Sequence, residues 1–231
     1  MNMKKNLPLF ALIFICNISF GQNKWFSLYA DSTTLVKDAD EITQQFISDL
    51  KKIVPLDIKV VKHTTPYLIY NDKNIIHLPF WNEVIQPQKQ FFAEVAGGEK
   101  EGEEVFGLFF NGFYLAHEAG HILAVATGKK YDNAYSSEYD ANALSILFWK
   151  KTGQQKNLDK CYQYAKQMLK TLKNPVPEGE DYESYITTHY NELASDPYKY
   201  GYIQFSQLAE IYENKTLPDF DTFIKNGMSI K

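Results

Sequence analysis

The sequence predicts an α+β fold, with a small mixed sheet whose edge strand packs on an active-site helix, followed by a mostly helical C-terminal half. Alternation of apolar and polar residues is confined to residues 57–78. From residue 105 onwards, apolar residues recur instead at three- and four-residue steps, as they do in amphipathic helices. The length of 231 residues is sufficient for one well-packed domain.

Residues 1–21 have the organisation of a secretory signal peptide, which leaves residues 22–231 as a single expected domain. Lys4 and Lys5 precede an apolar stretch that Pro8 interrupts and that is too short to cross a bilayer as a stable helix. A small-x-small triplet ends the segment, as expected of a signal peptidase site. We therefore expect a secreted or periplasmic protein with no membrane span in its mature chain.

The composition argues against nucleic acid as a partner, because a net charge of −4 provides no basic surface. Cys16 lies in the predicted leader, so Cys161 is left alone and no intramolecular disulfide is expected. The chain has 24 lysines and no arginine. Any group that polarises a substrate carbonyl must therefore be a histidine, a tyrosine, a lysine or a metal ion.

After an extended entry segment at residues 24–34, the first predicted element is an amphipathic helix. Its apolar residues recur at three- and four-residue steps: Leu35, Ala39, Ile42, Phe46, Leu50 and Ile53. Residues 57–63 alternate in polarity and predict a half-buried strand. Residues 67–70 and 75–78 flank the polar turn at 71–74, which together predict a β-hairpin.

The rest of the chain is predicted to be mostly helical. Residues 82–96 are expected to be partly helical and residues 97–104 to form a Gly/Glu-rich loop. A helix that begins near Val105 should end before Gly128. Further helices are predicted over residues 138–152, 158–172, 182–195 and 201–214, with a surface loop at 174–179. The first of these should follow an N-cap at Ser136–Ser137.

The stretch at residues 117–121 reads H-E-x-x-H. On a helix, His117 and His121 lie one turn apart on the same face, where both imidazoles can reach one metal ion. Glu118 directly follows the first histidine, so its carboxylate lies beside the metal and can accept a proton from a metal-bound water. Apolar residues flank the motif on both sides. This argues against a chance pair of histidines on a solvent-exposed helix, because such a helix would not be hydrophobic on both sides of the motif.

A catalytic zinc usually has three protein ligands and leaves a fourth position to water. Thr127 occupies the position where one extended form of the motif has a third histidine. An acid from the next helix is the alternative, with Glu138 favoured and Asp140 as the competitor. These acids lie about 200° apart around a helix, so they cannot both face one metal ion. Asn142, one turn beyond Glu138, can hold an imidazole or the carboxylate in place.

The H-E-x-x-H motif at 117–121 and the E-x-x-A-N motif at 138–142 resemble the gluzincin metallopeptidases. Within them the pattern is most similar to that of short domains of the ImmA/IrrE type and of integral-membrane zinc proteases. The resemblance covers residues 67–150 and implies a zincin-like fold. It implies zinc ligands at His117, His121 and Glu138, a general base at Glu118, and a supporting residue at Asn142. The strand at Ile75–Leu78 would correspond to the zincin edge strand that pairs with an extended substrate.

These features predict a zinc-dependent peptidase in which zinc-bound water is the nucleophile and Glu118 is the general base. Because arginine is absent, His189 is the first candidate to stabilise the developing oxyanion. Tyr190, Tyr185 and Tyr135 are the alternatives. The expected partner is a peptide or protein substrate. The competing hypothesis is a secreted binding protein that retains the metal site without turnover.

Overall fold

The computed structural model describes residues 24–51, 53–54, 61 and 64–228. Within these ranges the chain is α+β, because a small mixed sheet precedes a mostly helical remainder. The helices are α1 (Ser32–Leu50), α2 (Gln86–Ala96), α3 (Glu99–Leu108), α4 (Tyr114–Ala126), α5 (Ala134–Lys151), α6 (Gln155–Met168), α7 (Tyr182–Ala194), α8 (Pro197–Glu213) and α9 (Phe220–Lys225). The strands are β1 (Thr64–Thr65), β2 (Tyr70–Asp72) and β3 (Ile75–Pro79).

Two predictions concern residues that are not described. The leader at 1–21 lies outside the described residues, and so does all of the strand predicted at 57–63 except Val61, which is buried. None of the described helices combines the length and the apolar character that crossing a bilayer requires.

The sheet corrects the predicted place of the edge strand. Strand β3 lies in the centre, with β1 parallel on one side and β2 antiparallel on the other. The segment Ile75–Leu78 is therefore not an edge. Among the described residues β1 and β2 each pair only with β3, so each of them has an open side. The predicted hairpin is confirmed, although its first strand is Tyr70–Asp72 and not residues 67–70.

The segment 97–104 is helical from Glu99, so the loop predicted there is wrong. Gly97 ends α2 in the left-handed conformation with a φ of 93°, and the chain enters α3 two residues later. Gly102 allows α2 and α3 to pack closely, because a Cβ there would lie 2.8 Å from the backbone nitrogen of Ala93. The glycines therefore serve a tight junction and a close helix contact.

Helix α5 begins earlier than predicted, because its N-cap is Asn133 and not Ser136–Ser137. The Asn133 side-chain oxygen accepts a hydrogen bond from the backbone nitrogen of Ser136 at 2.7 Å. Glu138 consequently lies beyond the first turn. It is not an acid that merely interacts with the positive end of the helix dipole.

The helices predicted at 158–172, 182–195 and 201–214 are confirmed with shifted ends, as α6, α7 and α8. Helix α9 was not predicted, and the entry segment at 24–34 contains a short 3-10 turn and the start of α1. Cys161 is a buried free thiol on α6.

A π-helical turn at Phe109–Phe113 separates α3 from α4. The single helix predicted from Val105 to before Gly128 is therefore interrupted, and the histidines lie on its second part, α4. The Phe113 carbonyl oxygen accepts a hydrogen bond from the hydroxyl of Ser145 on α5. Asn111 Nδ2 donates to the carbonyl oxygen of Pro79, at the end of β3, at 3.0 Å. The turn therefore connects both the sheet and α5 to the start of α4.

Helices α4 and α5 approach closely at Gly120, within the H-E-x-x-H motif. A Cβ at this position would lie 2.8 Å from Leu144 Cδ2 and 3.5 Å from the Cα atom of Ala141. Because Gly120 has no side chain, the backbone of α5 can lie against α4 beside His121.

This close approach predicts a graded response to larger residues at position 120. We expect Gly120→Val to lower the free energy of unfolding by about 1–3 kcal/mol, since its added methyl groups meet the backbone of α5. Gly120→Ala should stay within about 1 kcal/mol of wild type, because better helix propensity offsets the contact with flexible Leu144. Urea unfolding measures both. The exposed Val125→Ala is the control, and a Gly120→Val protein as stable as wild type would contradict the packing argument.

Candidate metal centre

Three ligand-type side chains converge between α4 and α5: His117, His121 and Glu138. One ligand atom from each lies within 4.8 Å of the other two. The Nε2 atoms of the two histidines are 3.1 Å apart. Glu138 places Oε2 at 3.3 Å from His117 Nε2 and Oε1 at 3.6 Å from His121 Nε2. The group is largely buried, with His117 3% and Glu138 8% exposed.

The structure brings Glu138, and not its competitor Asp140, to the histidines. Asp140 Oδ2 instead accepts a hydrogen bond from Lys129 Nζ at 2.6 Å. The two acids diverge because they lie two residues apart on α5, which turns their side chains to different faces. Of the two acids proposed as the third ligand, Glu138 is the one that can hold a metal ion with His117 and His121.

The distances within the group fit a metal ion. Ligand atoms at ~2.0–2.1 Å from a tetrahedral zinc ion are separated from one another by about 3.3 Å. The observed separations of 3.1, 3.3 and 3.6 Å between the nitrogen and oxygen atoms lie close to this value. Two imidazoles and a carboxylate are a donor set that zinc accepts. The residues therefore fit a divalent metal with little rearrangement.

A hydrogen-bond network determines which nitrogen of His117 can bind the metal. Gln204 Nε2 donates to Glu138 Oε2 at 2.7 Å, and a carboxylate can only accept, so Gln204 Oε1 faces the amide of Asn142. Asn142 Nδ2 donates to that oxygen at 3.0 Å, which turns Asn142 Oδ1 toward His117 Nδ1 at 2.9 Å. His117 Nδ1 must therefore carry a proton, which leaves Nε2, the nitrogen that faces His121 and Glu138, as the atom that can bind a metal.

A second glutamine supports the same orientation of Asn142. Gln207 Nε2 donates to the backbone carbonyl of Tyr135 at 3.1 Å, and its Oε1 accepts from Asn142 Nδ2 at 3.0 Å. Because carbonyl and carboxylate oxygens only accept, both glutamines independently place the Asn142 oxygen on His117. The supporting role expected of Asn142 thus has a defined geometry.

Glu138 is held by three donors from α7 and α8. Besides Gln204, the Tyr190 hydroxyl donates to Oε1 at 3.1 Å and the Tyr200 hydroxyl donates to Oε2 at 3.2 Å. Burial raises the pKa of Tyr200 well above its usual value, and the nearby charge of Glu138 raises it further. Burial and Glu138 also raise the pKa of Tyr190. Both hydroxyls therefore keep their protons and remain donors.

The negative charge of Glu138 and a positive charge on the neighbouring histidines stabilise each other. Burial alone would raise the pKa of Glu138, but hydrogen bonds and charge interactions with His117 and His121 overcome it and hold the pKa well below its usual value. Burial likewise opposes protonation of His121, yet the contact with Glu138 leaves its pKa raised. A positive charge is therefore favoured at the point where the three ligands meet, which is the electrostatic requirement of a cation site.

Glu118 lies beside the ligands and contacts the sheet. Its Oε2 accepts a hydrogen bond from Asn71 Nδ2, on strand β2, at 2.6 Å. A cavity of about 100 Å³ opens next to Glu118 and His117. Its other walls include the side chains Leu68, Ile69, Phe91, Phe110, Tyr114 and Phe205. The candidate base therefore faces a mostly apolar space large enough for a small side chain.

His189, the first candidate for the oxyanion donor, makes its contacts within its own helix. Its Nδ1 lies 2.9 Å from the backbone oxygen of Tyr185, and the two rings are stacked. Of the tyrosines proposed as alternatives, Tyr190 is the one whose hydroxyl reaches a ligand. Tyr135 offers the ligand network its backbone carbonyl. The catalytic role of His189 remains a prediction.

Four side chains at the centre were not predicted from the sequence: Asn71, Tyr200, Gln204 and Gln207. Tyr200, Gln204 and Gln207 recur at four- and three-residue steps, so they form one polar face on a helix that is otherwise apolar toward the core. This spacing was visible in the sequence. Asn71 gave no such signal, because an asparagine before Asp-Lys is expected in a hairpin turn.

Comparisons with known proteins do not identify the chain. No protein-family model, curated protein or solved structure matches it. The function must therefore be inferred from the residues at the centre.

The geometry predicts which substitutions abolish metal binding. We expect His117→Ala, His121→Ala and Glu138→Ala each to prevent stoichiometric binding of zinc, because each removes one of three ligands. Asp140→Ala is the matched control and should bind zinc as wild type does. Elemental analysis after dialysis, followed by titration with a zinc-binding dye, measures content and affinity. Equal losses in Asp140→Ala and Glu138→Ala would contradict the assignment.

The network behind the ligands predicts a smaller effect. We expect Asn142→Ala to weaken zinc binding by about 10–100-fold, because His117 loses the partner that orients its ring. Gln204→Ala should cause a similar loss, since it frees both Glu138 and Asn142. The same zinc titration measures the affinities, and the surface variant Gln163→Ala is the control. Unchanged affinity in both network variants would show that the ligands orient themselves.

Proposed function

We propose that this protein is a secreted zinc-dependent metallopeptidase with a gluzincin-type site and a zincin-like fold. The observation that carries the proposal is the buried group of His117, His121 and Glu138, with Glu118 beside it at the wall of a cavity. Ligand spacing, a carboxylate in position to act as a base, and space for a substrate side chain occur together. A metal site with a purely structural role needs no cavity beside it and no additional carboxylate.

Zinc bound by these three residues would supply an activated water and polarise the substrate carbonyl. The protein's own contribution begins with Glu118, whose carboxylate takes the proton of the attacking water and passes it to the leaving amine. Burial restricts the side chain to a few positions, and the hydrogen bond from Asn71 occupies one oxygen. The other oxygen is left for the water.

The hydroxyls on Glu138 are suited to stabilise negative charge on the substrate. Tyr190 and Tyr200 remain protonated, and their oxygens lie within 3.2 Å of a ligand carboxylate. Either hydroxyl can rotate toward a developing oxyanion close to the ligands, which is the task of an electrostatic donor. The contact of Tyr190 with Glu138 favours it over His189 for this role.

The substrate proposed for this site is an extended peptide. Strand β2 has an open side among the described residues, and Asn71 at its centre contacts Glu118. An extended chain that pairs with β2 would place its backbone beside the base. The mostly apolar cavity next to Glu118 favours an uncharged side chain near the cleaved bond.

Substitution of the base tests the proposal. We expect Glu118→Gln to lower the rate of peptide hydrolysis by at least about 100-fold while zinc stays bound, because only the proton acceptor is lost. Mass spectrometry of a mixture of unstructured peptides, incubated with the zinc-loaded protein, measures cleavage and locates the bond. The control is Glu178→Gln in the surface loop.

Equal cleavage by wild type and Glu118→Gln would rule out this mechanism. Tight zinc binding with no cleavage of any peptide would favour the competing hypothesis of a metal-containing binding protein.

A further inference from the structure

The residue Asn71 links the sheet to the candidate base. It is the central residue of β2 and is half-buried. Its Nδ2 donates a hydrogen bond to Glu118 Oε2 at 2.6 Å, across 47 positions of the chain. A hydrogen bond to an ionised carboxylate is shorter and stronger than one between neutral groups. Among the described residues this contact therefore ties the Glu118 carboxylate to an element outside its own helix.

The orientation of the Asn71 amide follows from the same acceptor rule that applies to Asn142. A carboxylate can only accept, so the nitrogen of the amide faces Glu118. The backbone of Asn71 is held in the hairpin, where it is paired with Ile76 and flanked by the pairs Tyr70–His77 and Asp72–Ile75. Movement of the amide away from Glu118 thus requires either a new rotamer of Asn71 or a shift of the strand.

We propose that Asn71 is a positioning residue for Glu118. It fixes one carboxylate oxygen and leaves the other directed at the attacking water. This inference deepens the proposed function and rests on it. It also gives β2 a second role, because a substrate chain docked along its open side would press on the strand that holds the base. Docking of the substrate on β2 would then also affect the alignment of the Glu118 carboxylate.

The alternative is that the contact only fastens the hairpin to α4. Positioning and fastening differ in what depends on Glu118. A fastening contact affects stability whether or not the enzyme is turning over. Loss of a positioning contact lowers kcat only while Glu118 is present to be positioned, and it leaves KM and zinc content unchanged.

The first measurement uses the zinc-free protein and tests the contact itself. Asn71→Ala and Glu118→Ala should each raise the equilibrium constant of unfolding by roughly tenfold. The double variant should raise it no further than the larger single effect, because either substitution removes the same hydrogen bond. Full additivity of the two effects would overturn the inference, since the side chains would then not interact.

The second measurement tests positioning in the zinc-loaded protein. We expect Asn71→Ala to lower kcat by about 10–100-fold, with KM within about twofold of wild type and one zinc bound. Asn71→Asp, which keeps the size but replaces the donor with an acceptor, should lower kcat at least as far. Asn74→Ala removes the same group from the turn of the same hairpin and should leave kcat unchanged. Asn71→Ala should add no further loss in a Glu118→Gln background.

The outcomes separate the inference from the function on which it rests. If wild type cleaves peptides, Glu118→Gln does not, and Asn71→Ala retains full kcat, the inference is overturned and the proposed function stands. An equal loss from Asn71→Ala with and without the Glu118 carboxylate would also overturn it, because the effect would be structural. If the zinc-loaded wild type cleaves no peptide, both fail.

Discussion

The metal centre depends on the small distance between α4 and α5. Side chains that share a metal ion must lie within a few ångströms of one another, and two helices at ordinary spacing hold larger side chains between them. Gly120 removes that barrier inside the motif itself, so Glu138 reaches both histidines from the neighbouring helix. A small residue at this variable position of H-E-x-x-H is therefore a packing requirement of this chain.

The buried polar network explains why the last third of the chain belongs to the centre. Burial of a carboxylate is costly unless its oxygens are hydrogen-bonded. Helices α7 and α8 provide Tyr190, Tyr200 and Gln204 for Glu138, and Gln207 completes the orientation of Asn142. These two helices resembled no known motif in the sequence, yet their side chains satisfy the groups that hold the ligands.

The sequence predicted features that depend on spacing within one element. Helical periodicity placed the two histidines one turn apart and Asn142 one turn beyond Glu138, and it excluded Glu138 and Asp140 from facing one metal ion together. The order of the strands could not be read in this way, and Ile75–Leu78 proved to be central and not an edge. Helix α3, which starts at Glu99, was missed because the glycines of this segment suggested a loop. Gly102 instead serves a packing contact that no local pattern reveals.

Contacts between distant segments were also beyond the sequence. The hydrogen bonds of Glu118 with Asn71 and of Glu138 with Gln204 join residues far apart in the chain. Of these contacts, only those made by the polar face of α8 could have been suspected from the helical spacing of Tyr200, Gln204 and Gln207.

The π-helical turn at Phe109–Phe113 affects the direction in which His117 and His121 project from α4. A π turn accommodates one more residue than an α turn, and each residue advances a helix by about 100°. If the chain continued from α3 as an uninterrupted α-helix, His117 and His121 would be rotated by about that angle and would no longer face Glu138. The loss of a single residue from this turn would therefore misdirect the site while leaving every ligand in the sequence.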